Sequence, residues 1–282
     1  MTSDDGGDKR RTGRERAAEA RRKQAAAERR KKQGMIGGAV VVVVGLAVLI
    51  GVLVQHNKSQ SNKAARNAYG AGQPFTAPTS TSANPATQAD PGGITYGDPA
   101  AKVTLEVYED VRCPICQIAE QMFGATSKEY ADAGKIKIQY HIVDLIDRNL
   151  GGQGSLVGGA SLACAADAGQ AQFIGFHDLI FKNQPQETTD TYGSVDNVLN
   201  LAGQVPGLRS PTFDGCAQDG KYAPWVKANY DFLSKKLGGR VGTPDLYIDG
   251  QQWQLQNPQV VPAEQQTAQF RAALDAAVAK QG

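Results

Sequence analysis

Val103-Thr104-Leu105-Glu106-Val107-Tyr108-Glu109-Asp110-Val111-Arg112-Cys113-Pro114-Ile115-Cys116-Gln117-Ile118-Ala119-Glu120-Gln121-Met122-Phe123 changes its period halfway, and that change decides the fold. From Val103 to Tyr108 apolar and polar residues alternate, which is the period of a strand. After Pro114 the apolar residues Ile115, Ile118, Ala119, Met122 and Phe123 recur at helical spacing. Cys113 therefore falls at a helix N-terminus, where unpaired N–H groups and the helix dipole favour a thiolate. Arg112 beside it is expected to push the same way. Cys116 sits one turn further on the same side, within disulfide reach, and Pro114 costs little in a first turn. Two thiols so placed point to disulfide exchange.

Other uses of a C-x-x-C pair fit less well. Zinc needs two more ligands, and Cys164 and Cys216 are neither near nor paired as a second C-x-x-C. Covalent haem needs His directly after the second cysteine, where Gln117 stands. A purely structural bridge across so short a loop would constrain the unfolded chain only weakly. No metal and no other cofactor is expected.

Residues 35–54, from Met35 to Val54, carry no charge and include Val40-Val41-Val42-Val43-Val44, and twenty such residues span a bilayer core as a helix. The 34 residues before them hold twelve Lys and Arg against six Asp and Glu, a net +6 that leaves −4 for the rest of the chain. The basic side is expected in the cytoplasm. Gln55-His56-Asn57-Lys58 lacks the small residues of a signal-peptide cleavage site, so the span reads as an uncleaved single-pass anchor. Topology alone accounts for the basic charge, and without interleaved aromatics no nucleic-acid partner is expected. Residues 55–93 turn to Ser, Thr, Asn, Ala, Pro and Gly and read as a disordered linker that carries the following domain outside the membrane. Disulfides persist there.

The expected organisation is thus a basic cytoplasmic segment (1–34), a transmembrane helix (35–54), a linker (55–93) and an α/β domain (94–282). A second strand is predicted over 135–144, helices over 155–168, 170–183, 194–202 and 225–237, a hairpin around Asp249-Gly250, and a final helix over 263–280. Strand, helix, strand, helical block, hairpin and helix describe a thioredoxin-type sheet with a helical insertion at about 145–237. In an oxidising compartment Cys164 and Cys216 have only each other as partners and are expected to form a structural disulfide, the alternative being two buried free thiols. His177, beside Phe173, Phe176 and Ile180, reads as a packing residue without catalytic role.

Three segments in order carry a resemblance: the one ending in Arg112-Cys113-Pro114-Ile115-Cys116, then Phe173-Ile174-Gly175-Phe176-His177-Asp178-Leu179-Ile180-Phe181, then Val241-Gly242-Thr243-Pro244-Asp245-Leu246-Tyr247-Ile248-Asp249-Gly250. Over about residues 94–282 the chain resembles the DsbA-like thiol-disulfide oxidoreductases, and with its anchor and extra cysteine pair it looks most like membrane-tethered actinobacterial members. The resemblance implies a thioredoxin fold with an inserted helical domain, Cys113 as attacking and Cys116 as resolving cysteine, and a cis Thr243-Pro244 bond facing them. By itself that X-Pro bond reads as an ordinary trans turn. Pro114, Ile115, Arg112, Thr243 and Pro244 are the expected active-site supports. A quinone-linked membrane reoxidant of the DsbB or VKOR type is the implied partner. Many members carry His or Tyr where Ile115 stands and a buried Glu where Val107 stands, so two family devices are missing. Neither Glu106 nor Glu109 is assigned catalysis in their place.

The reading is a membrane-anchored extracytoplasmic oxidoreductase donating disulfides to exported cysteine-containing proteins. A reductase or isomerase of envelope proteins is the alternative enzyme, and an envelope binding module with a thioredoxin fold is the alternative outside catalysis.

Overall fold

The sheet of the computed structural model, which describes residues 64–83, 86–257 and 260–281, has five strands: β1 (Ile94–Gly97), β2 (Val103–Glu109), β3 (Ile136–Ile142), β4 (Asp245–Ile248) and β5 (Gln251–Trp253). Their order is β1-β3-β2-β4-β5. β2 and β3 run parallel, with Val107 opposite Tyr140, and every other pairing is antiparallel. The parallel pair requires a crossover, and the segment after the cysteines supplies it: α1 (Pro114–Ala119), a π-helical turn (Glu120–Gly124) and α2 (Ala125–Asp132). The unbroken helical period after Pro114 carries no sign of the π turn.

Between β3 and β4 lies the helical insertion: α3 (Leu145–Leu150), α4 (Gly154–Ala168), α5 (Gln170–Lys182), a 3-10 turn (Thr191–Gly193), α6 (Val195–Ala202), α7 (Pro211–Asp219) and α8 (Ala223–Lys236). The fold is a thioredoxin-like α/β arrangement with this helical block inserted. α4 is buried almost all round, as expected of a helix at the centre of a helical block. It reaches the sheet and the cysteine turn through Gly158 and Gly159, where a Cβ would stand 2.9 Å from Val111 and 2.8 Å from Ile142. Cys164 on α4 is bonded to Cys216 on α7. The last helix, α9 (Ala263–Gln281), buries Phe270 against Phe123, ring centroids 4.6 Å apart.

The basic segment, the predicted membrane span and residues 55–63 of the linker lie outside the described residues. Among the described residues no helix is long and apolar enough to cross a membrane. The linker reading needs correction for 64–83 and 86–93, which pack against the domain. The Tyr69 hydroxyl donates to the Ala217 carbonyl at 2.6 Å, the Thr79 hydroxyl to Asp167 at 2.6 Å, and Trp225 Nε1 to the Pro91 carbonyl at 3.1 Å. Composition misled because few large side chains anchor the segment: Tyr69 is buried, and Phe75 packs on the core.

Candidate functional site

β2 ends at the level of Glu109, and four residues later the chain starts α1 with Cys113 as N-cap and Pro114 in its first turn. Asp110 builds the turn between them. Its carboxylate accepts the Arg112 N–H and the Ile146 N–H, both at 2.8 Å. Full burial and the nearby Asp147 raise its pKa well above the carboxylate range. The insertion grips the turn from the other side, since Gln184 Nε2 donates to the Val111 carbonyl at 2.9 Å and the Cys113 carbonyl at 3.1 Å.

Cys113 is 6 % exposed and Cys116 1 %, with Ile115 between them 46 % exposed. The two are free thiols. A hydrogen bond from the Cys116 thiol lowers the Cys113 pKa most; burial opposes it; the Thr243 hydroxyl and the Cys116 and Ile115 N–H groups help lower it from an ordinary 9.0 to about 6. Burial, with the charges of Cys113 and Glu109, pushes Cys116 well above the thiol range. Thr243-Pro244 is cis, and the Thr243 carbonyl lies 3.4 Å from Cys113 Sγ. Chemically this is a thiolate that can attack a disulfide or leave from one, backed by a thiol that keeps its proton.

Arg112 does not serve the cysteine pair as the sequence suggests. Its side chain is 2 % exposed and turns away into an ion pair with Asp147, with Asp190 at 3.2 Å and the carbonyls of Gly151 and Glu187 each at 2.9 Å. With its charge matched by two carboxylates, it is not among the leading influences on the Cys113 pKa. Its place is structural, joining the turn to the insertion.

Two groups escaped the sequence. Glu109 is 1 % exposed and close enough to act on Cys116, and the fully buried His177 lies with Nε2 2.7 Å from Glu109 Oε1. His177 does pack against Tyr140 and Phe181, as its neighbours suggested, but it also holds this ion pair. Burial alone would depress its pKa; Glu109, Asp178 and Glu120 outweigh that and raise it to about 10. Glu120 joins them from the π turn, with donor atoms of the three side chains within 4.8 Å of one another. Such a donor set could hold a cation only if the Glu109–His177 hydrogen bond opened. The one signal was Glu109 itself, an acid ending a strand whose last residues are buried on both sides.

A family profile described as thioredoxin matches residues 89–276. No curated protein matches the chain. Solved structures similar to it include BdbD from Bacillus subtilis (19 % identity, TM-score 0.53, covering 67 % of this chain and 94 % of that one). Reduced DsbG from Mycobacterium tuberculosis is similar at 23 % identity and TM-score 0.51, covering 70 % and 96 %. MdbA, a thiol-disulfide oxidoreductase from Corynebacterium diphtheriae, is similar at 21 % identity and TM-score 0.51, covering 72 % and 98 %. At such identities the likeness is one of fold.

Proposed function

Because this chain belongs to the thioredoxin family, we propose that it is a thiol:disulfide oxidoreductase of the DsbA type, anchored by residues 35–54 with its N-terminus in the cytoplasm, which passes a Cys113–Cys116 disulfide to exported proteins. One observation carries the exchange chemistry: Cys113 is drawn down to about 6 while Cys116, one turn behind it, is held well above the thiol range. The low pKa makes Cys113 a good leaving group, which favours donation over reduction.

In the donating direction a substrate thiolate attacks Cys113 Sγ, the Cys113–Cys116 bond breaks, and Cys116 departs with the electron pair. Cys116 is out of solvent and has a high proton affinity, so it takes a proton; the Glu109–His177 pair is the adjacent store. A second substrate thiolate then attacks the substrate sulfur of the mixed disulfide and expels Cys113 as thiolate. The substrate loses two electrons and the cysteine pair gains them. Exported proteins as substrates, and a quinone-linked membrane reoxidant of the DsbB or VKOR type, follow from the basic N-terminal flank, the apolar run and the family resemblance. Oxidative refolding of a reduced, disulfide-containing test protein checks the reading. Native enzyme oxidised at Cys113–Cys116 should accelerate it and Cys113→Ala should not; acceleration by both would overturn it.

A further inference from the structure

Beside the cysteine turn lies a cradle for a carboxylate, filled by the chain itself. Asp190 Oδ1 accepts the Gly154 N–H at 2.8 Å and Oδ2 the Gln153 N–H at 3.0 Å, at the first turn of the fifteen-residue α4. The guanidinium of Arg112, 98 % buried, completes the cradle at 3.2 Å; its Nε has no hydrogen-bond partner. Three glycines make the space. A Cβ on Gly152 would stand 2.5 Å from the Asp190 carboxyl carbon, one on Gly154 2.7 Å from Oδ1, and one on Gly193 would also overlap the group. Backbone donors at a helix N-terminus, a buried cation and glycine-made room are the parts of an anion site.

The occupant closes a loop. Residues 183–190 run from the end of α5 back to the cradle, and within them Gln184 holds the carbonyls of Val111 and Cys113 while the Glu187 carbonyl accepts from Arg112. The Cys113 carbonyl also accepts the Cys116 and Gln117 N–H groups that begin α1. Where the loop sits therefore bears on where the cysteine turn sits. We infer that Asp190 is a positioning residue: its carboxylate, seated in the cradle, latches the 183–190 loop so that Gln184 fixes the backbone of Cys113 for exchange.

The inference rests on the proposed exchange activity, and the test separates the two. Mixed-disulfide formation at Cys113 is timed with a cysteine-containing peptide, using full-length protein oxidised at Cys113–Cys116. Asp190→Ala is expected to slow it roughly 10-fold, because small misplacements of a reacting group are costly, and to raise the Cys113 titration midpoint measured on the reduced protein. Acetate, a carboxylate small enough for the emptied cradle, should restore both in a saturable way. Gln184→Ala should slow the reaction similarly with no response to acetate, because its cradle remains filled. Native protein without exchange activity would sink the functional reading. Active native protein with an unchanged Asp190→Ala rate, or a slow one that acetate leaves slow, would overturn the latch. Circular dichroism matched to native protein shows that the variant compared is folded, and a misfolded Asp190→Ala is replaced by Asp190→Asn, which must then be slowed for the latch to stand.

Discussion

His177 Nε2 lies 2.7 Å from Glu109 Oε1, and neither side chain meets solvent. Removing one partner of a buried ion pair leaves the other charge uncompensated, at a cost of about 3–5 kcal/mol. His177→Phe should therefore lower stability by an amount of that order in chemical denaturation. Glu109→Gln, closer in shape, should leave the Cys113 pKa near the native value yet slow the steps in which Cys116 gains or loses a proton. Stopped-flow measurement of mixed-disulfide resolution reads the second effect.

Arg112→Met separates the structural place of this residue from the electrostatic one that its position next to Cys113 suggests. Its charge is matched by Asp147 and Asp190, so a loss of about 3–5 kcal/mol of stability is expected. A thiolate absorbance titration of folded protein should show a change traceable to the position of the turn and reversed by no added cation. A large direct electrostatic contribution would instead weaken steeply with salt in the native protein.

The Cys164–Cys216 bond joins residues 52 apart and ties α4 to α7, away from the redox pair. Closing a loop of that length in the unfolded chain stabilises by up to about 4 kcal/mol in the chain-entropy account. Replacing both cysteines with Ala should lower the denaturation midpoint and leave the Cys113 pKa unchanged, as checked by urea unfolding beside the same titration.

Period changes made much of the fold legible. β2, β3, β4 and helices α4, α5, α6, α8 and α9 fall close to where alternation and helical spacing place them, because each buries one face or is buried all round. β1 was missed because four residues carry too little pattern. α7 was missed although Ser210-Pro211 is a start signal, with the Ser210 hydroxyl accepting the Phe213 N–H. Within the site, Cys113, Cys116 and Thr243-Pro244 were legible because motif and resemblance name them. The partners of Arg112 and Glu109 were not, since Asp147 and His177 lie 35 and 68 residues away and only tertiary packing brings them in.

Thermal unfolding of the protein in the oxidised and reduced states of Cys113–Cys116, with Cys164–Cys216 intact, tests the central claim most directly. A thiol whose folded pKa is depressed from 9.0 to about 6 stabilises the reduced fold fully above pH 9, and that stabilisation is lost as pH falls through 6. Cys116, pushed upward, keeps its proton across that window. The oxidised form has neither group to titrate. The reduced form should therefore unfold at the higher temperature near pH 7, and the gap should widen by about 1.4 kcal/mol per pH unit between 6 and 9, equivalent to 30 mV of oxidising power for each 1.4 kcal/mol. An oxidised form that is the more stable of the two, with a gap that does not change with pH, would contradict the account and make the protein a reductase.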